Sequence, residues 1–595
     1  MTPEQVKAVP LAELPQLCDE LRQELIAIIA TTGGHIGVNL GVIELTVALY
    51  YSFDFPNDGL VWDIGHQIYI QKMITGRLPL LKEIRQNGGS PGYAYRPESE
   101  FERVTSSHAG ASLSLALGAS MANRLKGNTQ MSIAVTGDGS LVEGSIQEAL
   151  NHMAADKGRT LLIINDNEMA LDKNFGGLHE HLKAITRNPE KSSNVFTELG
   201  LQYQGPVDGH DVIALVQLFK HYDKELDAPA VLHIKTIKGK GLESMADNSP
   251  VRIHWNFPFN TETLENTEGP KSPSHAGAFA QSLGELLEQD DKVFVITPAT
   301  LQNTGIYKLS QQYPQRVIDV GMAEQHSITL GCGMALEGIK PIICFESTFL
   351  QRVYDQIIHD ACISDIPILM VAARSGHTGL DHCTHHSLLD LSYLRIVPNL
   401  RVLYPADQED LKACLKREAA NLNGPTLILF PYGGTIDDPQ QPLELDYQLS
   451  EQAAEKTLIL SVGMQHLNAQ KVRAQLQAQN INSRHIAVTC LSTMEPKLKA
   501  LLQLQAQIDA GGGWQVDQQV ETIITLEENI LDGGLGSFVF ENIENGSKRP
   551  TILRYGFPKK YIEHGTRDWI YKKYHIDAES ISLSVSQHFA QQQQG

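Results

Sequence analysis

The sequence contains no stretch of eighteen consecutive apolar residues, so it offers no membrane span. The amino terminus, Met1-Thr2-Pro3-Glu4-Gln5, is polar and acidic and lacks the basic-then-apolar order of an export signal. A soluble, unexported, cytoplasmic protein is expected. Cysteine is scarce: seven are scattered over 595 residues with no C-x-x-C pair. That excludes a disulfide scaffold and fits a reducing compartment. Basic residues fall short of acidic ones, 48 against 69, and the net charge of −21 argues against a nucleic-acid surface. An acidic chain that binds anionic ligands must concentrate its positive groups inside the site. No repeat of solenoid period is found. Apolar and charged contents of 42% and 20% are those of an ordinary globular protein. The length exceeds what one core can organise, so about three domains are expected.

The most informative stretch runs from Gly137 to Met169. Met131 to Thr136 reads as a buried strand ended by Gly137, and Leu161 to Ile164 as a second. Ala149 to Ala155 suits the helix between them, giving a strand–helix–parallel strand unit. Asp138 and Asn167 then lie just past the carboxyl ends of neighbouring strands, where open α/β sheets bind ligands. A carboxylate and an amide oxygen suit Mg²⁺ shared with phosphates, and Gly139 allows close backbone approach to a diphosphate. An ordinary turn followed by a polar strand end is the plainer alternative. A Rossmann loop fits poorly, because Gly137-Asp138-Gly139-Ser140 to Gly144 has the wrong third spacing and an acid at the phosphate position.

Helical periodicity covers Ala12–Ala30 and returns over Leu40–Tyr51, separated by the glycine-rich Gly33-Gly34-His35-Ile36-Gly37. Val61 to Gln67 and Val104 to Gly110 read as short strands ending in turns, and Cys362 to Ala373 as a buried strand. His35, His66 and His108 each sit beside small residues at an element end. A lone histidine is usually structural, but three in one kind of setting point to anion binding and proton transfer. Thr267 to Ser274 and Gly433 to Leu443 are Pro-, Gly- and Ser- or Asp-rich linkers. They divide the chain into α/β domains at 1–266, 275–432 and 444–595. Arg316 to Val320 reads as a strand, with a helix from Ala323, so Glu324 falls near a helix start, where a carboxylate is favoured. Three histidines and Cys383 crowd Gly379 to His386, but their spacing matches no common zinc template. The carboxyl-terminal domain carries no chemical motif, and Gln591 to Gln594 is a polar tail expected to be disordered.

Gly34-His35, Trp62-Asp63-Ile64-Gly65-His66-Gln67, Gly137-Asp138-Gly139 and Asn165-Asp166-Asn167-Glu168-Met169 together resemble the 1-deoxy-D-xylulose-5-phosphate synthases, within the transketolase-like thiamine enzymes. So do Gly205-Pro206-Val207-Asp208-Gly209-His210-Asp211, Lys238-Gly239-Lys240-Gly241, Asp319 to His326, Ser347 to Arg352 and Thr525 to Asn529. The resemblance covers nearly the whole chain in order. It implies three α/β domains around mainly parallel sheets, with thiamine diphosphate between the first two. It implies that pyruvate is decarboxylated and condensed with glyceraldehyde 3-phosphate, giving 1-deoxy-D-xylulose 5-phosphate for isoprenoid, thiamine and pyridoxal biosynthesis. A different aldehyde acceptor or ketol donor within the transketolase group is the alternative, and a non-catalytic paralogue a more remote one. A homodimer is implied, with no nucleic-acid or membrane partner.

By the same resemblance, Asp138, Asn167 and the main-chain carbonyl of Met169 hold Mg²⁺. His66, Ser107, His108, Ala109, Gly139, Ser140, Asn167 and Lys238 contact the cofactor. Phe349 stacks on its pyrimidine, and Glu324 contacts the pyrimidine ring nitrogen and serves as a catalytic group. His35, His66, His254, His385 and Asp381 act on substrates or protons, and Arg96, Arg352 and Arg374 supply fixed positive charge. Several positions depart from the family pattern. Glu346 and Leu242 replace tyrosines, Tyr432 replaces an arginine assigned to the acceptor's phosphate, and His382 and Ser387 replace glycines. The segment after His181 is shorter than is usual in the family.

Overall fold

The computed structural model describes residues 1–188, 192–269, 274–433, 456–492, 520–543 and 550–594. The chain forms two compact units. The first comprises Met1–Pro270, Val320–Ala323 and Leu380–His382, and the second comprises the remainder. The described residues hold three sheets, one in the first unit and two in the second, and every strand pairing within them is parallel. No helix among the described residues is long and apolar enough to cross a membrane.

In the first unit β1 (Gly59–Trp62), β2 (Ser132–Gly137), β3 (Thr160–Asp166), β4 (Gln202–Asp208) and β5 (Ala230–Lys235) lie in the order β1-β2-β3-β5-β4. Parallel strands buried on both faces need apolar residues at successive positions, and β3 is buried throughout. Ile133, Val135, Leu161 and Ile163 pack in one cluster with the helices Leu14–Thr32 and Ile43–Ser52. Ala134, Leu162 and Ile164 face the opposite cluster, with Leu113, Ile146 and Leu150. The expected strand–helix–strand unit is present: Gly144–Met153 is the helix, and β2 pairs with β3 from Ser132↔Thr160 to Gly137↔Asn165.

The second unit contains β6 (Val293–Thr297), β7 (Val317–Asp319), β8 (Lys340–Glu346), β9 (Leu369–Ser375), β10 (Arg401–Leu403) and β11 (Thr426–Pro431), ordered β10-β11-β9-β8-β6-β7. Its other sheet, β13-β12-β14-β15, is built from β12 (Thr457–Ser461), β13 (Arg484–Ala487), β14 (Thr522–Ile530) and β15 (Thr551–Phe557). The expected boundary at Thr267–Ser274 overlaps residues 270–273, and that at Gly433–Leu443 continues into 434–443, both outside the described residues.

Three expectations are corrected. Val104–Gly110 is irregular, not a strand. Its backbone makes single bonds such as Ser106 N–H to Ala94 O, with no ladder beside it. Cys362 ends a π-helical turn, Ile357–Cys362, and β9 starts only at Leu369. Asp365, at φ +51°, and Pro367 separate the two, because neither conformation continues a helix or a strand. Gln591–Gln594 continue the last helix, Ala578–Gln594. Glutamine is a good helix former, and the buried Ile581 and Val585 anchor the preceding turns.

Candidate active site

In the first unit, the carboxyl ends of β2, β3 and β5 bring charged groups together in a buried setting. Asp138 follows β2 and is 5% exposed. Its Oδ2 accepts from Asn174 Nδ2 at 2.8 Å, and its Oδ1 has no hydrogen-bond partner among the described residues. Burial, with Asp166 beside it, holds the Asp138 carboxyl well above the usual carboxylate range. Asp166 ends β3 and behaves oppositely. Burial acts upward on it too, but His233 Nε2 at 2.9 Å and Lys235 Nζ at 3.1 Å hold its carboxyl down at about 2. Tyr203 Oη contacts the other His233 nitrogen at 2.8 Å, fixing the ring. Lys238, after β5, donates to the Ala170 carbonyl at 2.9 Å. Burial pushes its ammonium down to about 7, with Asp138 and Asp172 pulling the other way.

The turn after β3 is shaped by its own polar groups. Asn167 Oδ1 accepts from Met169 N–H at 3.2 Å, and Glu168 stands at φ +65°. Gly139 is a glycine for a steric reason, since a Cβ there would come within 2.7 Å of Ala170 Cβ. Ser140 is fully buried, and Ser107 and Ala109 are also buried, whereas His108 is half-buried. Asp63 holds the Ser107–Gly110 segment in place by accepting from Gly110 N–H at 3.0 Å and Ser112 N–H at 3.2 Å. It thereby caps the helix Ser112–Leu125.

The histidines singled out in the sequence only partly converge. His35, His66 and His254 form one cluster, with ring centroids 5.6 Å apart for His35–His66 and His35–His254 and 5.0 Å for the stacked His66–His254 pair. Tyr69 and Tyr93 hydroxyls contact the two nitrogens of His35, each at 3.2 Å. Asn39 ties the loops together: its Nδ2 donates to the carbonyls of His35 and His66 at 2.7 and 2.8 Å, and its Oδ1 accepts from Tyr69 N–H at 2.8 Å. Burial, reinforced by Lys238 and the other two rings, pushes His254 well below the ordinary imidazole range, so it is neutral at pH 7. Asp381 belongs to this unit and forms an ion pair with Arg85. His382 packs against Tyr93 and Tyr95, with centroids 5.9 and 5.5 Å away. Arg96 is exposed on a single 3₁₀ turn.

The second unit holds the other assigned residues. Glu324 opens the helix Glu324–Leu336 and is 5% exposed. Phe349 and Arg352 lie on the 3₁₀ turn Ser347–Val353 after β8, and Phe349 meets His385 edge-on at 6.5 Å. Thr348 Oγ1 donates to the Thr384 carbonyl at 2.7 Å, fixing the loop that carries His385. Arg374, Glu346 and Tyr432 meet at the ends of β9, β8 and β11. Beneath them the buried Asp390 accepts from Ser347 and Ser375 hydroxyls and ties the ends of β8 and β9 together. His181 lies in the helix Gly177–Arg187 and accepts from Val195 N–H at 3.1 Å, which closes the short connection expected there. Leu242 is buried in the first unit's core.

Asn39, Tyr69, Tyr93, His233 and Asp390 escaped the sequence reading. All are buried groups with polar atoms, on helices or strands except for Tyr93, which lies in a loop. The available signal was a polar residue inside an otherwise apolar run, which is unusual without a partner.

The family profile described as 1-deoxy-D-xylulose-5-phosphate synthase matches residues 1–194 and 186–236, and that described as the transketolase pyrimidine binding domain matches 271–434. A 1-deoxy-D-xylulose-5-phosphate synthase of Stutzerimonas stutzeri is 35% identical, covering 99% of this chain and 96% of its own. Those of Vibrio vulnificus and Caldanaerobacter subterraneus are 34% and 33% identical, covering 97% and 98% of their own lengths. Among solved structures, a transketolase from Leishmania mexicana is 17% identical and covers 97% of both chains at a TM-score of 0.43. With identity above 30% along virtually its whole length, this chain belongs to the 1-deoxy-D-xylulose-5-phosphate synthase family.

Proposed function

We propose that this protein condenses pyruvate with glyceraldehyde 3-phosphate, releasing carbon dioxide and forming 1-deoxy-D-xylulose 5-phosphate, with thiamine diphosphate and Mg²⁺ as cofactors. The observation that supports it best is the unmet charge at the first unit's strand ends. A buried carboxylate oxygen of Asp138 has no hydrogen-bond partner among the described residues, and a buried Lys238 amine is pushed down to about 7. A buried acid and a buried amine left in this state fit an anionic group joined to a divalent cation. Asp138, Asn167 and the Met169 carbonyl would hold the cation. Lys238, Ser107, His108, Ala109 and the backbone at Gly139–Ser140 would receive the diphosphate, and Glu324 and Phe349 the aminopyrimidine.

Bound thiamine diphosphate supplies an electron sink for loss of carbon dioxide from a 2-oxo acid. The protein's part is orientation and proton handling. Lys238 gains its full charge when an anion arrives, because the anion offsets the burial that now disfavours the ammonium. His254 enters neutral and offers Nδ1, which has no partner among the described residues, as a hydrogen-bond or proton acceptor. His35 is held rigid by two tyrosine hydroxyls and Asn39, so its ring direction is fixed before a substrate binds. Glu324 would set the protonation of the pyrimidine. We propose a homodimer, and Asp381, paired with Arg85, as a positioning residue of the first unit. The test is product analysis by mass spectrometry with pyruvate, glyceraldehyde 3-phosphate, Mg²⁺ and thiamine diphosphate. 1-Deoxy-D-xylulose 5-phosphate is expected only when all four are present, and pyruvate left unconsumed would overturn the reading.

A further inference from the structure

The second unit contributes both limbs, residues 376–379 and 383–387, of the loop between β9 and the helix Asp390–Leu394. The limbs meet in an antiparallel bridge between Gly376 and Ser387, where Ser387 N–H donates to the Gly376 carbonyl at 2.9 Å. The loop carries His385 on the 3₁₀ turn Cys383–His385. A loop with so little regular structure has little stability of its own, and its conformation depends on what holds it.

Several of the bonds that hold it come from residues 563–567, which follow β15 and open the helix Arg567–Lys573. The Glu563 carbonyl accepts from His386 Nε2 at 3.1 Å, while Thr378 N–H donates to Nδ1 of the same ring at 3.2 Å. A carbonyl only accepts and an amide N–H only donates, so the ring proton sits on Nε2. Gly565 N–H donates to the Gly379 carbonyl at 3.0 Å. Arg567 Nη2 donates to the His377 carbonyl at 3.1 Å and, just past β11, to the Tyr432 carbonyl at 3.0 Å.

The same guanidinium is seated from its other side. Its Nε donates to Glu528 Oε1 at 2.9 Å, and Tyr571 Oη donates to that oxygen at 2.5 Å. Glu528 lies in β14 with its side chain 2% exposed. The packing under the loop is close. A Cβ on Gly376, which stands at φ +82°, would collide with the Glu528 carboxylate, and the His377 and His386 rings stack 4.2 Å apart. A planar fork with fixed N–H directions can bridge a carboxylate and two carbonyls, whereas a lysine ammonium is a point charge on a flexible stem.

We infer that Arg567 is a positioning residue for His385: seated on Glu528, it fixes the loop from the side of the sheet β13-β12-β14-β15, a region with no chemical motif of its own. The inference rests on the condensation proposed above and on the proton-handling role that the family resemblance implies for His385.

The experiment follows product formation and backbone hydrogen exchange in the full-length wild type, Arg567→Met, Arg567→Lys, His385→Ala and the double variant Arg567→Lys/His385→Ala. Arg567→Lys keeps a cation for Glu528, so it serves where Arg567→Met does not fold. It should keep the denaturation midpoint and the thiamine diphosphate affinity of wild type and lose exchange protection at residues 376–387. Its kcat should fall by about ten- to a hundredfold, the loss that a displacement of about 1 Å brings. In the His385→Ala background the same change should cost less than about threefold, because residues that act as a unit are not additive. Arg567→Met should show the same losses with a lower midpoint. Full kcat in Arg567→Lys, or an equal loss with and without His385, would overturn the positioning role. Product formation with unchanged loop exchange would overturn that role alone, and pyruvate left unconsumed by wild type would overturn the condensation with it.

Discussion

The two sets of strand ends treat charge in opposite ways. At the ends of β2, β3 and β5 the first unit buries Asp138 with one carboxylate oxygen lacking a hydrogen-bond partner among the described residues, and Lys238 with a neutral carbonyl as its partner. At the ends of β8, β9 and β11 the second unit buries Glu346 and Arg374 as an ion pair, with Asn303 donating to the other Glu346 oxygen and the Tyr432 ring against the guanidinium. A site that leaves buried charge unmet is destabilised until a ligand completes it, and the free energy released on completion appears as affinity. A site whose charges are paired from within has less to gain from a charged ligand. The same location on a parallel sheet thus carries an incompletely partnered acid in one unit and an ion pair in the other.

The largest effect should come from Glu324, the buried carboxylate at a helix start in the second unit. Glu324→Gln keeps the shape and removes the proton-handling group. Turnover should fall on the order of 10²–10⁴-fold, while thiamine diphosphate affinity, measured by calorimetry, stays within about tenfold. Nearly full turnover would remove Glu324 from the chemistry.

Breaking the Glu346–Arg374 ion pair should cost stability next. Glu346→Ala strands a mostly buried guanidinium, and losing one partner of such a pair costs about 3–5 kcal/mol. Chemical denaturation of the cofactor-free protein would show it as a lowered midpoint. The matching change in the first unit, Asp138→Asn, removes a buried carboxylate that forms no ion pair among the described residues and keeps an oxygen for Asn174, so the cofactor-free protein should be no less stable than wild type. Equal losses in the two variants would erase the contrast between the sites.

The smallest effect concerns pH. Burial pushes the Asp390 carboxyl up to about 7, although Ser347, Ser375 and Tyr393 donate to it. In the unfolded chain it ionises near the ordinary aspartate value, about 3.9. Because the folded value is the higher one, the folded protein keeps a proton that the unfolded chain gives up. This contribution is full below about pH 4 and is lost as the pH rises through about 7, at up to about 1.4 kcal/mol per pH unit. Asp390→Asn should flatten that part of the stability profile. Parallel profiles for the two proteins would show that Asp390 is ionised in the fold.

The first site was more legible in the sequence than the second, for a physical reason. Asp138 and Asn167 follow directly from strand ends marked by apolar runs and a glycine, so position along the chain is enough to place them. The Glu346–Arg374 contact depends on the register of β8 against β9 and on a bulge in β9. Crossover packing sets that register, and no local pattern carries it. Arg374 was therefore readable as a cation but not as a compensated one. The histidine cluster was half legible. His35 and His66 stood out at glycine-rich turns, but the groups that orient His35 are Asn39, Tyr69 and Tyr93, and no spacing rule connects them. Arg96 was legible as a cation, and it lies exposed on a 3₁₀ turn. The zigzag of small polar residues at Val104–Gly110 suggested a strand, but the segment is held by the Asp63 carboxylate and has no neighbouring strand.

The measurement that reaches the central contrast most directly is a calorimetric titration of thiamine diphosphate into wild type and Asp138→Asn, each with and without Mg²⁺. The account predicts Mg²⁺-dependent binding to wild type and a loss of about two orders of magnitude in affinity in the variant, equivalent to roughly 2.7 kcal/mol. Indistinguishable affinities for the two proteins in the presence of Mg²⁺ would contradict it.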